Sequence, residues 1–479
     1  MEFIKDYEMV CGLEVHVELA TATKIFCSCP TTFGAEPNTQ CCPVCTGMPG
    51  TLPVLNRKVV DYAIKAGIAT NCHISRYSKE DRKNYFYPDL PKAYQISQYD
   101  LPLCEHGYLD IETDDGAKRI GITRIHIEED AGKLIHDPVN GTMIDCNRCG
   151  VPLIEIVSEP DIRTSEEAVA YVKKLRSILM YVGVSDCRMN EGSLRCDVNL
   201  SVRKKGEKQF GTRTEMKNIN SFTFIGKAIE YEYKRQAELI ERGGSVVQET
   251  RRFDADSGET FSMRKKEDAN DYRYFPDPDL PPIIKTDAEI DALGGELPTL
   301  PDARRASYTE NYGLSEYDAQ LLTESKRISD YFESAASLTA YPKLVANMMI
   351  SELFALMPPE LDEAVIPIEP SHLAALATLS GEGTINSSVA KKLLFEIYEQ
   401  DADPISIVNE RGLAQISDPA ILSAYIAEAI AADPKSVAAY KSGNTKAAMA
   451  IMGKIMAKTS GRGDPVKINE LLCKALSEL

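Results

Sequence analysis

The sequence predicts an α+β fold, with a strand-rich N-terminal region followed by an all-α middle and an all-α tail. Three observations carry that expectation. Apolar and polar residues alternate in short runs from residue 12 to about 290, the pattern of strands with one buried face. The few helical stretches among them do not alternate regularly with strands, as a parallel sheet with crossover helices requires. Beyond ALGGELPTLPDARR (292–305), read as a linker, the chain becomes alanine-rich and helical in period. A second change of texture lies at YEQDADPISIVNERG (398–412). These breaks divide the chain into residues 1–291, 296–403 and 404–479.

The first strand is GLEVHVEL (12–19), with Leu13, Val15, Val17 and Leu19 on one face. Glu14, His16 and Glu18 line the other, about 7 Å apart. RIHIEEDAGK (124–133) closes another strand with Glu128, Glu129 and Asp130. VPLIEIV (151–157) carries Glu155 inside an apolar run that reads as a strand buried on both faces. SEEAVAYVKKLRSILMYVGV (165–184) is an amphipathic helix with a capping residue at its start and Gly near its end. LRCDVNLSVR (194–203) alternates again, with Leu194, Cys196, Val198, Leu200 and Val202 on one face. SFTFIGKAIEYEYKRQAELIERGG (221–244) is a helix that a Gly pair stops. NYFYPDLPK (84–92) and RYFPDPDLP (273–281) share a loop chemistry of Pro-fixed turns with aromatic anchors.

The chain has 479 residues, 43% hydrophobic and 26% charged, as soluble globular proteins do. No apolar run approaches the roughly 18 residues of a membrane span. The start, MEFIKDYEMV, lacks the apolar core of a signal peptide. A cytoplasmic protein with no membrane role is expected. The net charge of −18 excludes nucleic-acid binding by the surface at large and leaves only a local basic patch for it.

An ionised carboxylate at Glu155 is costly in an apolar run unless it is paired or bound to metal. Arg124 and Arg148 are candidate structural partners. The alternative is that several of these carboxylates, from Glu14, Glu128, Glu129, Asp130 and Glu155, converge with the His16 imidazole on a divalent cation. Oxygen-rich ligation favours Mg²⁺, which usually brings phosphates with it. In IFCSCPTTFGAEPNTQCCPVCTGMPG (25–50), Cys27-x-Cys29 and Cys42-x-x-Cys45 match the tetrahedral thiolate set of a closed Zn²⁺ site, against four free thiols as the bland alternative. Cys41 is left over, and Cys146 and Cys149 of DCNRCG form a further pair without an assignment. Clustering among the 13 cysteines favours metal over disulfides in a reducing compartment.

The stretch 434–463 contains Lys435, Lys441, Lys446, Lys454, Lys458 and Arg462 and no acid. Its middle reads as a short amphipathic helix with Ala447, Ile451 and Ile455 apolar. It is either a solvated helix face or a salt-dependent contact with a nucleic-acid backbone. No phosphate-binding glycine loop, dinucleotide fingerprint or Ser/His/Asp order is present.

Taken together, GLEVHVEL, FGAEPN with CPVCTGMPG, DRKNYFYPDLPKAYQISQ, RIGITRIHIEEDAGK, NRCGVPLIEIVSEPDI, EGSLRCDVNLSVR, TEMKNINSF, QETRRFD and DYRYFPDPDLPP resemble the B-subunit family of bacterial aspartyl/glutamyl-tRNA amidotransferases. The resemblance spans almost all of the first region and continues more loosely to the C-terminus. It implies a heterotrimer with an amidase A subunit, which frees ammonia from glutamine, and a small C subunit. The B subunit would bind tRNA misacylated with Glu or Asp and activate the side-chain carboxylate with ATP. Ammonia would then displace phosphate from the acyl phosphate, making this chain part of an ATP-dependent carbon–nitrogen ligase. The family's layout implies a cradle domain with the kinase-like site, then a helical domain and a tRNA-binding helical tail. Matched motif positions make Glu14, His16, Glu129 and Glu155 the catalytic Mg²⁺ set, and Cys27, Cys29, Cys42 and Cys45 the zinc ligands found in some members. Lys83, Arg195 and Lys217 lie in matched motifs as candidates for the ATP phosphates. Lys441, Lys446, Lys454, Lys458 and Arg462 are the tail's candidates for tRNA. Two rival readings are a zinc-stapled RNA-binding adaptor without chemistry of its own and a stand-alone metal-dependent phosphohydrolase.

Overall fold

A computed structural model describes residues 5–265, 272–358, 365–442 and 444–478. The chain forms two units, Met1–Leu300 and Pro301–Leu479. The first is built on a nine-stranded sheet. In spatial order its strands are Glu259–Lys265, Glu249–Asp254, Thr214–Lys217, Leu194–Lys204, Tyr7–Glu18, Pro152–Ser158, Gly116–Glu129, Cys104–Thr113 and His73–Ile74. All neighbours run antiparallel except Thr214–Lys217 against Glu249–Asp254, so the sheet is mixed and the fold is α+β.

Period-two alternation fixes which face is which. Leu13, Val15 and Val17, with Ile154, Ile156, Leu194, Cys196, Val198 and Leu200, are buried in one core. The helices Arg57–Ala69, Ser165–Tyr181 and Phe222–Glu241 contribute Val60, Ile64, Val172, Leu175, Ile225 and Ile229 to that core. Each fully buried side chain of this size stabilises by about 1.5–3 kcal/mol. Thr164 and Ser221 cap the second and third of these helices by accepting from Glu167 N–H and Phe224 N–H, each cap being worth about 1 kcal/mol. The opposite sheet face therefore carries the polar residues of the central strands.

The linker expected at 292–305 is mostly helix. Asp287–Gly295 is helical, and Pro301 opens the helix Pro301–Tyr312. Thr286 and Glu289 form a capping box that starts the first of these helices upstream of its glycines, and the glycine pair falls in the last turn. Only residues 296–300 connect the two helices.

Among the described residues the second unit contains helices and no strand. One apolar cluster gathers Phe332, Leu373, Leu376 and Leu393, and another gathers Leu422, Ile451, Ile455, Ile468 and Leu472. In the tail helix Ala447–Lys458 the inward residues are Ala448, Ile451 and Ile455, one position off the expected Ala447. No helix among the described residues is long and apolar enough to cross a membrane.

Candidate active site and cysteine knuckle

Strand register assembles the polar face. His16 lies opposite Glu155 on one side and Arg195 on the other, and Glu155 lies opposite His126. One step along, Glu14 faces Asp197. Their ligand atoms form two overlapping groups, Glu14/His16/Asp197 and His16/Glu128/Glu155, each within 4.8 Å. His16 Nδ1 is 3.1 Å from Glu128 Oε1 and its Nε2 is 3.9 Å from Asp197 Oδ2. His126 Nε2 is 3.3 Å from Glu155 Oε2. Gln95 donates to Glu128 and Asn199 donates to Glu14, which orients both carboxylates. Glu14, His16 and Glu155 thus come together as the sequence led us to expect, joined by Asp197 and Glu128.

Glu129 does not come to this cluster. Being next to Glu128 on a strand, it projects to the other face, where Lys92 Nζ and the Ile96 N–H (2.8 Å) bond its carboxylate. There it lines a cavity of about 100 Å³ with Lys24, Phe26, Cys45, Lys92 and Tyr94.

The electrostatics describe a site with excess negative charge. Burial raises the Glu14 carboxyl, and the neighbouring Glu155 and Asp197 raise it further. Burial disfavours charge on His16, yet Glu128, Glu155 and Asp197 outweigh it and push the imidazole up to about 9. Glu155 is held below the usual carboxylate range because His126, His16 and Lys83 overcome its burial. Four carboxylates around one imidazole fit a hard divalent cation by donor type. Two buried atoms, His126 Nδ1 and Arg195 Nε, lack a hydrogen-bond partner among the described residues, as in a site shaped for a ligand.

The three candidate phosphate-binding cations differ. Arg195 is committed to Asp130, and Lys217 to Asp197 and Glu215. Lys83 makes no ion pair among the described residues. Its ammonium sits 5.0 Å from the Tyr272 ring and 5.9 Å from the Tyr85 ring, beside the acid cluster. Burial opposes its charge, but Glu128 above all, then Tyr274 and Glu155, raise it.

The four cysteines meet. Cys27, Cys29, Cys42 and Cys45 place their sulfurs within 4.8 Å of one another. Cys42 N–H donates to Cys45 Sγ, and buried Lys24 donates to the same sulfur at 3.5 Å. A hydrogen bond from Cys27 lowers the Cys45 thiol most, against burial, and with Cys42 N–H and Lys24 brings it to about 4. Gly47 closes the turn at φ +68°, where a Cβ would stand 2.6 Å from the Lys92 side chain, so this position requires glycine. The set fits a soft metal held by thiolates. Cys41 is outside it, bonded to Asn38 O.

Residues 9–291 match the family described as the GatB/GatE catalytic domain, and residues 330–476 the GatB domain. The chain is 57% identical over 479 residues to the B subunit of the aspartyl/glutamyl-tRNA(Asn/Gln) amidotransferase of Caldicellulosiruptor saccharolyticus, covering 99% of this chain and 100% of that protein. It belongs to the B-subunit family of these amidotransferases. The protein of the same name from Geobacter sulfurreducens is 53% identical over 476 residues, covering 98% of this chain and 99% of that one. The acid cluster and the knuckle both lie inside the segment that matches the catalytic domain of this family.

Between residues 434 and 463 the basic residues are less free than their sequence suggested. Lys454 pairs with Asp433 at 2.8 Å and Lys458 with Glu428 at 2.6 Å, acids that lie just upstream of the acid-free stretch. Arg462 bonds the carbonyls of Gly412 and Thr459. Lys441 and Lys446 are exposed.

Sequence reasoning missed Asp197, His126, Asn199 and Gln95. The first three sit on the polar beats of strands whose alternation was legible. Gln95 lies on a short strand that was not read.

Proposed function

We propose that the chain is the tRNA-binding, ATP-using subunit of a glutamine-dependent amidotransferase. The convergence of Glu14, Glu128, Glu155 and Asp197 around His16, with Lys83 alongside, carries this reading. The side-chain carboxylate of Glu- or Asp-tRNA attacks the γ-phosphorus of ATP, and the bond to ADP breaks. Ammonia from a partner amidase subunit then attacks the acyl carbon, and phosphate leaves. A carboxylate nucleophile has no proton to lose, so the clustered acids are not general bases. They position a divalent cation, Mg²⁺, which when bound offsets the repulsion between two anions. Glu14, His16, Glu128, Glu155 and Asp197 would hold it, while Lys83 neutralises phosphate. Arg195 and Lys217 orient Asp130 and Asp197. Glu129, paired with Lys92, lines the neighbouring cavity and takes no part in holding the cation.

Zn²⁺ held by Cys27, Cys29, Cys42 and Cys45 staples the long loop before the first helix. The tail, with Lys441, Lys446, Lys454, Lys458 and Arg462, contacts the tRNA backbone, and Arg462 acts by fixing the turn after the tail helix. Residues 1–291 form the cradle, 296–403 a helical domain and 404–479 the tail. The chain works in the cytoplasm with an amidase A subunit and a small C subunit. Reconstitution of the three chains with misacylated tRNA tests this. Phosphate release from ATP that requires the aminoacylated tRNA is expected. tRNA binding with no ATP turnover would instead make the chain a zinc-stapled RNA-binding adaptor.

A further inference from the structure

The turn 145–149 lies between the knuckle loop and Asp130, and its two cysteines have no role in the reaction above. Cys149 N–H bonds to Cys146 O at 3.1 Å, closing a hydrogen-bonded turn across Cys-Asn-Arg-Cys. Such a turn brings its first and last Cα atoms within about 7 Å. Disulfides span Cα separations of about 4.4–6.8 Å, so closure needs little movement.

The backbone of this turn is fixed from both sides. On the knuckle side, Asn38 accepts from Cys146 N–H and donates to Ile144 O, and Asn147 donates to Glu36 O and accepts from Gln40 N–H. On the other side, Arg148 donates to Ala131 O and Gly132 O and stands 3.5 Å from Asp130, the carboxylate that holds Arg195.

A second metal fits the pair poorly. The thiolate set of the knuckle is already fourfold, and neither Cys146 nor Cys149 belongs to any three-ligand group among the described residues. The Lys24 ammonium lies between the two cysteine sites, 3.5 Å from Cys45 Sγ and 3.3 Å from Cys146 O, and would repel another cation. A disulfide adds no charge. Access is asymmetric, since Cys146 is half-buried and Cys149 is buried.

We propose that Cys146 and Cys149 are a redox modification site that closes to an intramolecular disulfide by exchange with a low-molecular-weight disulfide. The Cys146 thiolate attacks one sulfur of the small disulfide, forming a mixed disulfide and releasing one small thiol. Cys149 then gives its proton to solvent and attacks the Cys146 sulfur, releasing the second small thiol. Two protein thiols are oxidised and one small disulfide is reduced.

The test uses the full-length chain, as purified, across a series of oxidised-to-reduced glutathione ratios. Free thiols are trapped with N-ethylmaleimide and the chain is digested with trypsin. Cleavage after Arg148 separates the two cysteines, so the disulfide appears as a crosslinked pair of peptides. That pair is expected to form before any of Cys27, Cys29, Cys42 or Cys45 oxidises, and to vanish on reduction with dithiothreitol. In Cys149→Ser a glutathione adduct should accumulate on Cys146. In Cys146→Ser, a change at a half-buried position that keeps the fold testable, Cys149 should stay a thiol. A wild-type chain that stops at the Cys146 adduct overturns the proposal. So does one in which both cysteines stay reduced until the knuckle oxidises, or a Cys146→Ser variant that takes an adduct on Cys149.

Discussion

His16 Nδ1 and Glu128 Oε1 stand 3.1 Å apart, across a sheet in which the strand of Glu155 lies between theirs. This contact makes Glu128, rather than its neighbour Glu129, the acid of the HIEED segment that faces the cluster. Replacing a charge-stabilising group at a reaction centre typically costs about 10²–10³ in rate. Glu128→Gln, Glu14→Ala and Glu155→Gln should therefore lose aminoacyl-tRNA-dependent phosphate release by about that factor, with unchanged circular dichroism. Glu129→Gln should leave the Mg²⁺ concentration for half-maximal release where it is in the wild type. Wild-type rates in the first three variants would remove the cluster from the chemistry.

The knuckle gives a direct measurement. Elemental analysis of the purified chain should find one zinc per chain, and Cys42→Ser with Cys45→Ser should lose it. Because the thiolate set closes the loop 27–45, stripping the metal with a chelator should lower the thermal midpoint. A chain with no stoichiometric zinc has no such site.

Much of this arrangement was written in the alternation of the strands. Leu13, Val15 and Val17 inward and Glu14 and His16 outward could be read from eight residues, because a strand has only two faces. The choice between Glu128 and Glu129 needed the same rule applied backwards from His126. Asp197 was legible as a polar beat of LRCDVNLSVR, but nothing local says that the sequence-distant strands Leu194–Lys204 and Tyr7–Glu18 are neighbours. The helix Asp287–Gly295 runs into a segment whose Gly and Pro residues read as a linker, and the signal that marks its start, the Thr286–Glu289 capping box, lies upstream of that segment. In the tail, counting charge along 434–463 hid Asp433 and Glu428, which lie just outside it.

Two buried glutamates should titrate with opposite effects on stability. Glu232 is fully buried, bonded to Arg235 and near Arg251, and although burial opposes its charge these partners hold its carboxyl low. Its contribution is present above the unfolded pKa and is lost as pH falls through the lower folded value. Glu232→Gln should flatten that acid-side loss and cost about 3–5 kcal/mol at neutral pH by uncoupling a buried pair. Glu80 is also buried, but neither of its oxygens has a partner among the described residues, and burial raises its carboxyl well above normal, with help from Asp81, Glu129 and Asp277. Stability from Glu80 is full below the unfolded pKa and declines as pH rises toward the folded one. Glu80→Gln should remove that decline. Urea unfolding of both variants, from well below the ordinary carboxylate range up to pH 8, checks the signs, and curves parallel to the wild type across that whole range would refute them.

The tail's ion pairs make its tRNA contact a competition. Lys454 and Lys458 must leave Asp433 and Glu428, or share them, before they neutralise phosphates. Solvent and salt screen surface pairs of this kind, so RNA phosphates can displace them. Lys454→Glu with Lys458→Glu should weaken tRNA binding and flatten its dependence on salt, by about 0.7–0.9 in logarithmic slope for each phosphate no longer neutralised. Asp433→Asn with Glu428→Gln should do the reverse, tightening binding at low salt by freeing both lysines. Asp433 also caps the helix Pro434–Lys441 by accepting from Ser436 N–H, and asparagine keeps that acceptor. Filter binding across a salt series reads both variants. Unchanged affinity in the lysine variant at moderate salt would take the phosphate contact away from this face of the tail.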